Sequence, residues 1–66
     1  MNRYKLINAV NEYTEQNGIS ISKFMKLAGI SRTSYYNYLS GQSEPSLRIA
    51  LRICNILSKT VEEIFT

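Results

Sequence analysis

The 66-residue sequence has no histidine, no aspartate and no tryptophan, and it carries one cysteine and one proline. Without imidazole or aspartate it lacks the residues that most acid–base, nucleophilic and metal-assisted sites are built from, so neither an enzyme nor a metal or cofactor is expected. Cys54 has no partner for a disulfide or a zinc site. Its apolar helical surroundings predict a buried, reduced thiol and an intracellular, cytoplasmic protein. No apolar run approaches the ~18 residues of a membrane span, and Met1-Asn2-Arg3-Tyr4-Lys5 does not lead into a signal-peptide core, so solubility is expected. Regular Val or Thr alternation is missing as well, which leaves no convincing strand.

What remains is short and basic. A chain of this length supports one core, so a single domain over residues 1–66 is expected, with no effector domain. The formal charge is +3, unevenly distributed. Residues 20–52 hold Lys23, Lys26, Arg32, Arg48 and Arg52 against Glu44 alone, a net +4, whereas the flanks sum to −1. A basic central half suits a polyanionic partner.

The apolar periodicity predicts five short helices and an all-α fold. Ile7, Val10 and Tyr13 or Thr14 mark a first helix, stopped by Asn17-Gly18. Ser20 caps a second, with Ile21, Phe24, Met25 and Ala28 on its inner face up to Gly29. Ser31 caps a third, which turns Tyr35, Tyr38 and Leu39 inward and Arg32, Thr33, Tyr36 and Asn37 outward before Gly41 ends it. After the turn Gln42-Ser43-Glu44-Pro45, a fourth helix starts near Ser46 with Leu47, Ala50 or Leu51, Cys54 and Leu57 inward. Thr60 and Glu63 have capping-box spacing, so a short fifth helix should bury Ile64 or Phe65.

Helices two and three, separated by a short glycine-containing turn, have the outline of a helix-turn-helix. Here the chain resembles the lambda-repressor, Cro-like or Xre-type helix-turn-helix regulators. The segment Ala28-Gly29-Ile30-Ser31-Arg32-Thr33-Ser34 looks like that family's turn into its recognition helix. Leu39-Ser40-Gly41 with Glu44-Pro45-Ser46-Leu47 matches the exit, and Leu51-Arg52-Ile53, Leu57 and Val61-Glu62-Glu63-Ile64-Phe65 match the last two helices. Some positions depart from the pattern. Ile21 stands where the family often has a phosphate-gripping Gln, Met25 where it favours Ala, and Tyr35 where it favours a β-branched aliphatic. Thr14 and Leu39 occupy the places of an Arg–Glu pair found in many members; losing both partners together avoids a buried unpaired charge.

The resemblance implies a compact five-helix DNA-binding domain that acts as a transcriptional regulator, a repressor by preference. Arg32, Thr33, Tyr36 and Asn37 become the candidates for base contacts, because Arg suits guanine, Asn suits adenine, and Thr offers a hydroxyl and a methyl. For Tyr36 a phosphate, a sugar and a thymine methyl all stay open. The start of helix two, around Ser20 and Ser22 with Lys23, suits phosphates through free N–H groups and the helix dipole. The resemblance adds Gln42, Ser43 and Ser46 as phosphate contacts on the other side. Ile49 and Ile56, with Ile64 and Phe65 of the last helix, form either a dimer seam or a broader core stripe. A homodimer on a palindromic double-stranded operator is expected, because one helix reads too few base pairs to discriminate against a genome. Two alternatives share the same fold: an antitoxin that also binds a protein, and a protein-interaction module that has lost DNA binding.

Overall fold

The computed structural model describes residues 3–65, with Arg3 described by its backbone alone. Five α-helices follow one another: α1 Arg3–Asn17, α2 Ile21–Ala28, α3 Arg32–Ser40, α4 Leu47–Leu57 and α5 Val61–Phe65. The fold is all-helical, as expected from the periodicity. The starts of α2, α3 and α4 are each set by a side chain one residue outside the helix. Ser20, Ser31 and Ser46 have extended backbones, and their hydroxyl oxygens accept from the N–H groups of Lys23, Ser34 and Ile49, satisfying donors the helices leave open. The capping box at α5 forms in both directions: Glu63 N–H donates to Thr60 Oγ1 at 3.1 Å, and Thr60 N–H donates to Glu63 Oε1 at 3.3 Å.

The first four helices all end in one motif, a left-handed residue whose following N–H reaches back to the carbonyl five residues earlier. Glycine closes the first three. α4 closes with Ser58, whose φ of 56° is the one positive value among the described non-glycine residues.

One apolar cluster joins all five helices: Leu6 and Val10 from α1, Phe24, Met25 and Ala28 from α2, Tyr35 from α3, Ile53, Cys54 and Leu57 from α4, and Ile64 from α5. At its centre Phe24 is fully enclosed, with the rings of Tyr13 and Tyr35 edge-on to it at 6.1 and 6.4 Å. Helix α1 is the hub, packing on each of the other four. Helix α3 rests on α1 and α2 and does not reach α4.

Four readings of the inward stripes need correcting. In α1 the buried set is Leu6, Val10 and Thr14 at i, i+4 and i+8, one residue out of register from Ile7, which is half-buried. Ile21, read as inward, is exposed, because α2 meets the core through Phe24, Met25 and Ala28. In α4, Leu47 is 70% exposed and Leu51 47%, while Ala50 and the unexpected Ile53 turn inward. Ile64, grouped with the dimer seam, is 2% exposed and belongs to the monomer's own core between α1 and α4, so it is not available to a second copy. Thr14 and Leu39, in place of a buried ion pair, leave nothing unsatisfied: Thr14 Oγ1 donates to the Asn11 carbonyl at 3.0 Å, and Leu39 packs on the core.

Candidate nucleic-acid interface

The turn between α2 and α3 decides where the outward face of α3 points. Gly29 closes α2 with φ 70°, its N–H donating to the Lys26 carbonyl at 3.2 Å, and Ile30 N–H donates to Met25 at 3.1 Å. Ser31 immediately caps α3, so three residues suffice to reverse the chain. Inward, Tyr35 and Tyr38 anchor α3. Outward, Arg32, Thr33 and Tyr36 are exposed and Asn37 is half-buried, with Arg32 and Tyr36, and Thr33 and Asn37, each one helical turn apart.

Tyr36 is 50% exposed, and its ring stands edge-on to the buried Tyr35 at 5.5 Å. Burial, and secondarily the neighbouring Tyr36, pushes the Tyr35 phenol above the usual tyrosine range, so Tyr35 stays neutral beneath the outer face.

Arg32 is brought against the first motif helix. Its Nη2 donates to Ser22 Oγ at 3.1 Å, linking the first residue of α3 to the second of α2. A candidate base reader and a candidate phosphate contact therefore touch, and both exposed groups bear on the same space. Nearby, Ser20 Oγ is engaged with Lys23 N–H, which leaves the N–H groups of Ile21 and Ser22 at the positive end of the α2 dipole.

On the far side of α3 the picture is different. The N–H groups of Gln42 and Ser43 both donate to the Asn37 carbonyl, at 3.0 and 3.3 Å, and Ser40 Oγ donates to the same oxygen at 3.2 Å. The backbone N–H groups of both residues are thus engaged within the protein, and their side chains are exposed. Ser46 is exposed at the start of α4, its hydroxyl oxygen taken by Ile49 N–H at 3.3 Å.

The four residues grouped as a dimer seam are not brought together. On the α4 wheel, Leu47 and Leu51 flank the buried stripe on the side facing α5, where Leu47, Pro45, Ala50, Val61 and Phe65, with Glu44, line a pocket of about 190 Å³. Ile49 and Ile56 flank the opposite side, the side of Arg52, whose guanidinium reaches Ala28 at the end of α2. They are half-buried against the core, which favours the core-stripe reading for both. Sequence reasoning gave Arg52 no partner, and no local signal could have supplied one, since its acceptor lies 24 residues away.

Among the described residues no helix is long and apolar enough to cross a membrane, and no group of three or more His, Cys, Asp or Glu is placed to hold a metal ion. Two short helices at a tight turn, the second presenting a polar and basic face over a core-bound back, define a helix-turn-helix DNA-binding domain. The helix-turn-helix family model matches residues 10–64, and the chain belongs to that family, the Cro/CI/Xre-type regulators that bind DNA. No curated protein and no solved structure shows a significant match.

Proposed function

We propose that this protein is a cytoplasmic, sequence-specific transcriptional repressor that reads the major groove of double-stranded DNA with α3 and binds a palindromic operator as a homodimer. The observation that carries the reading is the pairing of Arg32 with Ser22. It sets a guanidinium able to contact guanine beside the helix N-terminus that suits a phosphate, so base reading and backbone anchoring share one surface. Thr33, Tyr36 and Asn37 extend the reading face. Lys23, with the α2 N-terminus around Ser20 and Ser22, holds one strand's backbone, and the side chains of Gln42, Ser43 and Ser46 hold the other's.

Size argues for two copies. The longest dimension is 28 Å, short of the roughly 34 to 36 Å between successive major grooves on one face of a duplex, so one copy serves one half-site. The exposed Leu47, which shares a pocket with Phe65, and the exposed Leu51 one helical turn on are the surface a second copy would cover. The same flank favours a second reading, in which a protein of different sequence covers it, as an antitoxin's partner would.

The test is selection of binding sites from a random double-stranded pool at near-physiological salt, followed by affinity on the winner and on a scrambled duplex. A palindromic winner bound about a thousandfold more tightly is expected. No enrichment, with weak binding that disappears with salt on every sequence, refutes the reading. Sedimentation of the free chain separates the two occupants of the leucine flank, a dimer for the first and a monomer for the second.

A further inference from the structure

We infer that Arg52 is the positioning residue of the reading helix: from α4 it clamps the turn between α2 and α3, and so fixes the angle at which α3 meets DNA. The inference rests on the DNA-reading proposal above and assigns Arg52 no contact with DNA.

Three observations converge on it. Arg52 Nη1 donates to the Ala28 carbonyl at 3.3 Å, and Ala28 is the last residue of α2, where carbonyls are left without an intrahelical donor. A guanidinium there also sits at the negative end of the α2 dipole, which strengthens the contact. The same Nη1 occupies the space beside Gly29, 2.5 Å from where a β-carbon would lie. Gly29 therefore both adopts a left-handed backbone and makes room for the clamp.

The fold gives this contact its leverage. Helix α3 packs on α1 and α2 but not on α4, yet the candidate backbone contacts are divided between the start of α2 and the start of α4. For the two sets to grip opposite strands while α3 lies in the groove, the turn must hold a fixed relation to α4. Helix α2 itself packs on α4, and Arg52 pins the turn end of that contact, one end on the middle of α4 and the other on the residue from which the turn departs. On this account, freeing the turn leaves the phosphate contacts available one set at a time and degrades their simultaneous fit with the base contacts.

The experiment uses the full chain on the selected operator and on a scrambled duplex. Arg52→Met, which keeps the aliphatic stem and removes the donor, should lose about tenfold on the operator, the scale of one charge-assisted hydrogen bond, and less than about twofold on scrambled DNA. Arg52→Lys, which keeps a charged donor of similar reach, should recover most of the operator affinity. Equal losses on both duplexes, with a salt slope lowered by about one, would make Arg52 a phosphate contact and overturn the inference. So would a lowered melting temperature with an unchanged operator-to-scrambled ratio. Amide hydrogen exchange supplies a readout without DNA: Arg52→Met should speed exchange at Tyr35, Tyr36 and Asn37 relative to α1, and unchanged α3 exchange refutes the clamp. A wild-type chain that prefers no sequence refutes the DNA-reading proposal instead, and the exchange result still decides the clamp.

Discussion

Ser58 is the place where this fold can be made more stable by one atom-sparing change. Four helices end in the same hydrogen-bonded motif, and three of them put glycine at the left-handed position; α4 puts serine there, at φ 56° and ψ 40°. A side chain in that region brings Cβ against the following carbonyl, at a cost of about 1 to 2 kcal/mol. Glycine removes that strain and adds about 0.5 to 1 kcal/mol of backbone entropy lost on folding. Ser58→Gly should therefore stabilise the protein by about 0.5 to 1 kcal/mol, and for a domain of this size that raises the melting temperature by roughly 2 to 8 °C. The reciprocal change calibrates the argument. At Gly41 a β-carbon meets nothing within 4 Å, so Gly41→Ala carries the same two contributions with their signs reversed and should cost about 0.5 to 1 kcal/mol. Differential scanning calorimetry of both variants is the assay. A Ser58→Gly protein that melts no higher than the wild type, beside a destabilised Gly41→Ala, refutes the claim that the α4 end stores strain.

Arg32→Ala should cost about 1 to 3 kcal/mol on the selected operator and flatten sequence preference, whereas Lys23→Ala should weaken all duplexes modestly and lower the salt slope by about one. Fluorescence anisotropy over a salt series separates the two, and equal losses on every sequence would remove Arg32 from the reading face. Phe24→Ala should cost about 3 to 5 kcal/mol, because the fully enclosed ring supports Tyr13 and Tyr35 at once; chemical denaturation measures it, and a loss below about 1 kcal/mol contradicts the packing. Stability should also fall in alkali. Burial first, and Glu63 second, raise the Cys54 thiol above its ordinary value, and burial first, with Tyr36 second, raises the Tyr35 phenol. In both cases the unfolded chain releases its proton at lower pH than the folded one, so the stabilisation is complete below pH ~8.5 and declines as pH rises through the thiol range and then the phenol range. Melting curves from pH 7 to 10.5 should show the decline, with a shallower early part in Cys54→Ala.

Which parts of this structure could be read from the sequence follows from how far each determinant reaches along the chain. The caps at Ser20, Ser31, Ser46 and Thr60, and the stops at Gly18, Gly29 and Gly41, are interactions across three to five residues, so their residue types announce them. The outward face of α3 was legible for a related reason: a nine-residue helix fixed at both ends has its register set, and Tyr35 and Tyr38 could only turn toward the core. Register failed where apolar residues were abundant. In α1 Leu6 and Ile7 are adjacent and either could lead the stripe, and the choice falls to Leu6 because α1 must face four other helices. In α4, seven of the eleven residues are leucine, isoleucine or alanine, so the pattern alone could not say that Ile53 goes in while Leu47 and Leu51 stay out. The exposure of those two leucines and the burial of Ile64 have one physical reason. Helix α5, only five residues long, closes the core by inserting Ile64 against α1 and α4, and it is too short to cover Leu47 and Leu51 as well, which stay exposed.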